Sequence, residues 1–169
     1  FETWLYNLYL SSADMQKKEI YAASLLDKNQ FITNGYLNMW LVLEKFVQHF
    51  DDLYGDSDET FLEDEGRKYF LLYLRPIING TGNYYIETQT REQKRTDIIV
   101  DYLGEQYIIE MKIWHGKEYN NRGEKQLIEY LDDYHVEKGY IISFNFNKKK
   151  ETGVREITID GKTIIEAIV

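Results

Sequence analysis

The stretch RTDIIVDYLGEQYIIEMKIW, Arg95–Trp114, carries the most informative pattern in this chain. Two apolar runs flank a short turn, which is typical of a β-hairpin. Both runs are apolar at nearly every position, as in strands that helices cover on both faces. Three charged side chains nevertheless interrupt them, Asp97 in the first run and Glu110 and Lys112 in the second. Charges within a buried hairpin need a chemical explanation.

Strand geometry indicates whether these charges lie together. Glu110 and Lys112 are two residues apart on one strand, so they point to the same face. Directly opposed residues of an antiparallel pair also share a face. One register pairs Tyr102 with Tyr107. It sets Asp97 opposite Lys112, and a slip of two residues sets it opposite Glu110. A slip of one residue would separate the carboxylates. Two of the three registers therefore gather all three charges into one patch.

Two carboxylates that converge on an apolar sheet are costly unless something neutralises them. Magnesium prefers such oxygen ligands, and it combines one or two protein carboxylates with waters and phosphate oxygens. A neighbouring lysine can orient or deprotonate a water and balance the charge of a phosphate, so the three groups together suit phosphodiester hydrolysis. The alternative is a solvent-facing strand with a cross-strand Asp–Lys pair, worth about 0.2–1 kcal/mol. The apolar character of both strands favours the metal site.

The elements around the hairpin predict an α/β domain with the order αβββαβ. Residues 1–57 are predicted to be helical, and apolar spacings of three and four residues mark the segment 35–54. A second helix is expected from about residue 59 to residue 74, ending before Pro76, the only proline. The remaining predictions are strands at 84–90, 96–102, 107–114 and 138–146, a polar loop after Trp114, a helix over 123–134, and a small terminal β-hairpin appended to the core.

The acidity is unevenly distributed. Residues 1–65 hold 13 acidic and 4 basic residues, which accounts for the whole net charge of −9. We therefore predict a helical connector over 1–57 and a catalytic domain over 58–169. The negative charge disfavours a protein that coats nucleic acid nonspecifically. Because the sequence begins at Phe1, we expect it to be part of a longer protein.

Several other classes of protein are excluded or disfavoured by composition. The absence of cysteine excludes disulfides, thiolate metal sites and cysteine nucleophiles. Neither a signal peptide nor an apolar run of about 20 residues is present, so we expect a cytoplasmic protein with no membrane partner. The three histidines, His49, His115 and His135, do not have the spacing of a ligand cluster.

Asp97, followed after twelve residues by Glu110-Met111-Lys112, resembles the motif of the PD-(D/E)XK nuclease superfamily. In that superfamily the motif spans two strands of an αβββαβ, restriction-endonuclease-like core with a mixed sheet. The closer resemblance is to a branch at the C-terminus of bacterial proteins whose N-terminal part is a predicted AAA-type ATPase. It covers about residues 60–169, including "EGRKYFLLYLRPIINGTGNYYIE", "GEKQLIEYLDDY" and "KGYIISFNFNKKK". The literal "PD" is absent, because Thr96 precedes Asp97.

The resemblance implies a magnesium-dependent nuclease, in which manganese substitutes for magnesium. Asp97 and Glu110 match the metal-binding acids, with the backbone carbonyl of Met111 as a further ligand. Lys112 matches the catalytic lysine. Gln126 matches an accessory glutamine that acts near the phosphate or metal. A glutamine on a helix surface is the alternative for Gln126.

Further residues are implied with less specificity. Glu65 matches an acid that the first core helix contributes to the metal, although Glu63 competes with it. Glu87 is a secondary candidate on the first strand. Basic residues on both sides of the motif are candidates for phosphate contact: Arg91, Lys94, Arg95, Lys117 and Arg122. The alternative is a pair of solvated loops, since these segments also hold glutamates.

The implied partners are nucleic acid, DNA in the first instance, and an ATPase-like domain of the same polypeptide. A second function class is a catalytically silent module of the same fold that docks nucleic acid or protein, because a fold alone does not imply activity. A third, a dimerisation domain, would rest on the many tyrosines and would make the protein a homodimer.

Overall fold

The computed structural model describes residues 28–54, 63–86, 98–114 and 117–169, with side chains at 29–52, 65–86, 98–114 and 123–169. Within these ranges it contains the helices α1 (Met39–Tyr54), α2 (Glu63–Ile78) and α3 (Lys117–Asp133), preceded by a 3-10 turn at Lys28–Phe31. The strands are β1 (Ile32–Thr33), β2 (Tyr36–Leu37), β3 (Gly82–Tyr85), β4 (Ile98–Tyr102), β5 (Glu105–Ile113), β6 (Lys138–Phe144), β7 (Gly153–Ile159) and β8 (Lys162–Ile168).

Strands β3 to β8 form a mixed six-stranded sheet in the order β3-β4-β5-β6-β8-β7. The pairs β3–β4 and β4–β5 are antiparallel, while β5, β6 and β8 run parallel to one another. With α2 before β3 and α3 between β5 and β6, the αβββαβ order and the restriction-endonuclease-like α/β core are confirmed. The terminal hairpin is not an appendage, because β8 pairs with β6 and β7 lies at the sheet edge.

A two-residue turn sets the register of the motif hairpin. Leu103 and Gly104 both have positive φ, 53° and 84°, and Tyr102 pairs with Glu105. This is the turn geometry that matches the twist of paired strands. The Gly104 N–H also donates to Oδ1 of Asp101 at 3.3 Å. The register is therefore slipped by two residues from the pairing of Tyr102 with Tyr107.

Two hydrophobic clusters cover the two faces of the sheet. Helices α1 and α2 cover one face through edge-to-face and tilted aromatic rings, with Phe46 against Phe70 at 5.2 Å and Phe50 against Phe144 at 5.4 Å between centroids. Helix α3 covers the other face with Leu127, Ile128, Tyr130 and Leu131. The apolar residues of β4 and β5 are buried on both sides, as expected of a sheet between helices.

Helix α2 continues through Pro76, contrary to the predicted stop. Proline removes one backbone N–H and is unfavourable in a helix interior. Here it lies two residues before the end of α2, and the helical bonding continues past it, with Asn79 N–H donating to the Arg75 carbonyl at 2.9 Å. Ile77 and Ile78 are buried in the larger cluster, which favours the extra turn.

Other boundaries also differ from the prediction. Helix α3 begins at Lys117, six residues before the predicted start. The sequence does not predict this first part of the helix, because residues 117–122 lack the apolar spacing that marks the later turns. Strand β3 begins at Gly82, two residues early. A small hairpin of β1 and β2 lies within the segment predicted to be helical, and Asn34 and Gly35 form its two-residue turn with positive φ.

The described part of the predicted N-terminal extension packs directly on the sheet. Helix α1 is capped by Asn38, whose Oδ1 accepts from Leu41 N–H at 3.1 Å. The Tyr107 hydroxyl of β5 donates to the Leu37 carbonyl at 3.0 Å, which ties β2 to the central sheet. The boundary between 57 and 58 stays a prediction. No helix within the described ranges has the length and apolar character needed to cross a membrane.

We predict that Leu103→Asn stabilises the domain by about 0.5–1 kcal/mol. A left-handed conformation is costly for leucine and is tolerated better by asparagine. Leu103 is 63% exposed, so little buried surface is lost. Urea unfolding checks the change, with Leu103→Ala as the control because alanine keeps a Cβ but cannot bond the backbone locally. An unchanged or lower stability for the asparagine variant would contradict this account of the turn.

We predict that Tyr107→Phe lowers the free energy of unfolding by about 1 kcal/mol at neutral pH, through loss of the buried hydrogen bond. Burial raises the pKa of Tyr107 to about 12, with the Glu105 carboxylate adding to the shift. The unfolded value is about 10. The stability contributed by the neutral hydroxyl is therefore present below pH 10 and is lost as pH rises toward 12.

The difference between wild type and Tyr107→Phe should accordingly shrink in urea unfolding curves measured from pH 7 up to pH values above about 10. Tyr36→Phe is the matched control, because the Tyr36 side chain is 55% exposed. A difference that grows with pH would refute the assigned direction.

Candidate active site

Glu110 and Lys112 lie on the sheet face that α3 covers. Glu110 and Lys112 come two and four residues after Ile108, so all three side chains point to the same face, and Ile108 belongs to the cluster under α3. Glu110 is paired with Ile141 of β6, another member of that cluster. Glu110 is 8% exposed and Lys112 is 3% exposed. The prediction that these two charges share one face of a buried sheet is confirmed by the strand geometry.

The Lys112 ammonium occupies a space that Gly123 of α3 leaves open. A Cβ added at Gly123 would lie 3.4 Å from Cδ and 4.0 Å from Nζ of Lys112. Among the described residues Nζ has no hydrogen-bond partner. Burial lowers the pKa of Lys112, and the nearby charge of Arg155 lowers it further, while the carboxylates of Glu166, Glu124 and Glu110 oppose that change.

A second polar cluster lies beside Lys112 on the same face. Ser143 of β6 is the residue paired with Lys112, and its Oγ donates to Oε1 of Glu166 at 3.0 Å. Nε and Nη2 of Arg155 donate to Oε2 of the same carboxylate at 2.8 and 2.5 Å. Glu166 is 1% exposed, so these bonds supply the compensation that a buried carboxylate requires.

These polar residues lie at one end of the sheet. Lys112, Ser143 and Glu166 lie within three residues of the carboxyl ends of the parallel strands β5, β6 and β8. In open α/β sheets, ligands bind outside the carboxyl ends of such strands. The same face is apolar further back, where Ile141 and Ile164 lie under α3. The arrangement is that of a site at a sheet end.

The remaining predicted residues within the described ranges have different outcomes. Gln126 follows Gly123 by one turn of α3, so it lies on the side of the helix that faces Lys112. Met111 lies between Glu110 and Lys112, with its side chain buried on the opposite face. Glu65 is on α2, the helix that packs on that opposite face. Its role as a metal ligand stays a prediction.

Several predicted residues lie outside the described residues: Asp97, Glu87, Arg91, Lys94 and Arg95. The backbones of Lys117 and Arg122 are in α3, but their side chains also lie outside. Within the ranges that the structure describes, no group of three histidine, cysteine or acidic side chains is close enough to hold a metal ion. The convergence of Asp97 with Glu110 therefore stays a prediction.

Sequence reasoning missed Ser143, Glu166 and Arg155. Glu166 carried the same signal as Glu110, an acidic residue at an alternate position of an otherwise apolar strand, in KTIIEAI. A terminal hairpin appended to the core, as the sequence predicts, would place Glu166 away from the motif, so this signal did not point to the site. The parallel pairing of β8 with β6, which brings Glu166 beside Ser143, depends on tertiary structure and has no local sequence mark.

Helix α3 approaches the sheet closely at one end and leaves space at the other. A Cβ at Gly139 would lie 2.8 Å from Cδ1 of Leu131 and 3.1 Å from Cδ2 of Leu127. We predict that Gly139→Ala costs about 1–3 kcal/mol through overpacking. Gly123→Ala should instead be neutral or stabilising by up to about 1 kcal/mol, since its Cβ makes only ordinary contacts and alanine favours helix.

Thermal and urea unfolding of the two glycine variants, compared side by side, test this packing. An equal loss of stability in both variants would contradict the open space that the structure shows above Lys112.

Comparisons with known proteins agree with this geometry. Residues 83–157 match the family model described as PD-(D/E)XK nuclease superfamily. The matched segment runs from β3 into β7 and includes Asp97, Glu110, Lys112 and Gln126. No curated protein matches the chain. The match supports a nuclease-type domain, a class that implies nucleic-acid binding and that generally uses divalent metals, typically Mg²⁺.

Proposed function

We propose that this chain carries a metal-dependent nuclease domain that hydrolyses phosphodiester bonds in nucleic acid, with DNA as the expected substrate. The observation that carries the proposal is the burial of Glu110 and Lys112 side by side on one sheet face, within the segment that matches the nuclease superfamily. Charges on a sheet under a helix cost stability. Their retention is therefore better explained by chemistry than by folding.

The residues at this point suit a hard cation. Glu110 offers buried carboxylate oxygens, which are the ligands that Mg²⁺ prefers. The last described pair of the hairpin is Ile98 with Ile109, and extending that register by one residue predicts Asp97 opposite Glu110. We propose these two acids and the Met111 carbonyl as ligands of Mg²⁺ or Mn²⁺. When bound, such a cation supplies positive charge that activates an attacking water and a phosphate oxygen.

Lys112 and Gln126 would act on the reacting groups. The Lys112 ammonium can donate to a phosphate oxygen and stabilise the charge that develops as the bond breaks. Its lowered pKa also brings it nearer to the range in which an amine takes a proton from water. Gln126, on the same side of α3, would position the water or the phosphate. Arg91, Lys94, Arg95, Lys117 and Arg122 are proposed contacts to neighbouring phosphates.

The wider setting is part of the proposal. The resemblance described above supports attachment to an ATPase-like domain in the same polypeptide and a cytoplasmic location, with Glu65 and Glu87 as secondary candidates near the metal. Self-association as a homodimer is an additional proposal.

The metal-binding acids and the lysine should respond differently to substitution. We predict that Asp97→Asn abolishes both metal binding and cleavage, because an amide lacks the charge that holds the cation. Lys112→Met should reduce cleavage by a factor of about 10²–10⁴, the usual contribution of a proton-transfer group, and leave metal binding largely intact. Calorimetric titration of Mg²⁺ or Mn²⁺, together with nicking of supercoiled plasmid DNA, measures both properties.

Glu156→Gln is the matched control for these variants, since it removes an exposed carboxylate on the opposite sheet face. It should bind metal and cut DNA as wild type does. Metal binding by Asp97→Asn at the wild-type level would refute the ligand assignment. Metal binding without any cleavage of DNA or RNA by wild type would favour a catalytically silent docking module instead.

A further inference from the structure

The buried Glu166 and the exposed Arg155 form an unusual pair. Glu166 is 1% exposed, while the side chain of its partner is 58% exposed. The guanidinium thus extends from a buried carboxylate at the sheet face into solvent. Arg155 has five N–H donors. Nε and Nη2 each donate one to Glu166, and no other described group accepts from the remaining donors.

The pair is not needed to complete the apolar core. Ile157 and Ile159 follow Arg155 on the same face of β7 and pack with the cluster under α3. An ion pair between a buried carboxylate and an exposed guanidinium contributes little net stability, because burying the carboxylate carries a desolvation cost. A guanidinium fixed by a carboxylate through two nitrogens is, however, well oriented to donate to phosphate oxygens with its outer edge.

The position of the pair relates it to Lys112. Glu166 lies on β8, two strands from β5. It accepts a hydrogen bond from the hydroxyl of Ser143, the residue that stands opposite Lys112 in the pairing of β5 with β6. Two strand spacings amount to about 10 Å. A phosphate bound at the Arg155 guanidinium would therefore be a different one from a phosphate at Lys112, further along the same nucleic-acid backbone.

We propose that Arg155, held by Glu166 and Ser143, binds a backbone phosphate of the nucleic acid on the β7 side of the site. The inference rests on the proposed function and extends it by assigning a substrate contact that lies outside the motif hairpin and α3. The ligand is a phosphodiester, and the contact is to non-bridging oxygens, so it carries no base specificity. Substrate would thus extend across the carboxyl ends of β5, β6 and β8.

The test uses a double variant, Arg155→Gln/Glu166→Gln, in the full chain. Its net charge equals that of wild type, and the amides can still bond each other and Ser143, so neither overall charge nor an unpaired buried acid confounds the result. Binding of a short fluorescein-labelled DNA is followed by anisotropy between about 50 and 200 mM salt, with a chelator present and strand integrity checked on a gel.

We expect the double variant to bind roughly tenfold more weakly at low salt. The slope of log affinity against log salt should fall by about 0.9 for duplex DNA or about 0.7 for a single strand, the loss of one phosphate contact. Arg155→Lys should keep the wild-type slope, because it retains the charge, and bind a few-fold more weakly. The isoelectric control Lys138→Gln/Glu156→Gln alters exposed residues away from this face and should match wild type.

The outcomes are distinguishable. If wild type binds DNA and the double variant keeps both affinity and salt slope, the Arg155–Glu166 pair is structural and this inference is wrong while the nuclease proposal stands. If wild type neither binds nucleic acid in this assay nor cuts it with Mg²⁺ or Mn²⁺ present, both proposals are wrong. Circular dichroism and thermal unfolding confirm that the variants compared are folded. The Arg155→Lys variant, with Glu166 intact, shows whether a change of slope in the double variant comes from the loss of the cation.

Discussion

The two-residue turn at Leu103 and Gly104 is the constraint on which the site depends. It pairs Tyr102 with Glu105 and so fixes every later pair between β4 and β5. Because side chains alternate along strands, a slip of one residue would exchange the two sheet faces and move Glu110 into the aromatic cluster under α1 and α2. The positive φ of Leu103 is a local cost that the antiparallel pairing of nine-residue β5 outweighs.

Charge burial is the second physical problem that this fold has to solve. The structure compensates Glu166 within the protein, through Ser143 and Arg155. It leaves the Lys112 ammonium without a hydrogen bond to any described group. The ammonium lies next to Gly123, where the absence of a side chain leaves room for it. A compensated carboxylate and a poorly solvated ammonium on one face are typical of a site in which a ligand completes the electrostatics.

The hairpin, the αβββαβ order and the shared face of Glu110 and Lys112 could be predicted from sequence, because strand periodicity and motif spacing are local properties. The register could not, since Leu103-Gly104 lacks the Asn or Asp that usually marks such a turn. The predicted stop before Pro76 is wrong because the rule that proline ends helices is local, and the burial of Ile77 and Ile78 outweighs the lost backbone bond. Arg155 and Glu166 were missed because their place depends on how a C-terminal hairpin adds to the sheet.

The sheet topology explains why the polar groups meet where they do. Three parallel strands end together, and the antiparallel strands β4 and β7 begin at that same end. The face is apolar under the later turns of α3, while its open end collects residues from four strands: Glu110, Lys112, Ser143, Glu166 and Arg155. Had β8 paired antiparallel to β6, the strand direction would reverse and Glu166 would lie toward the opposite end. The parallel insertion of β8 between β6 and β7 therefore extends the motif hairpin into a longer polar row, wide enough to meet more than one phosphate of a nucleic-acid backbone.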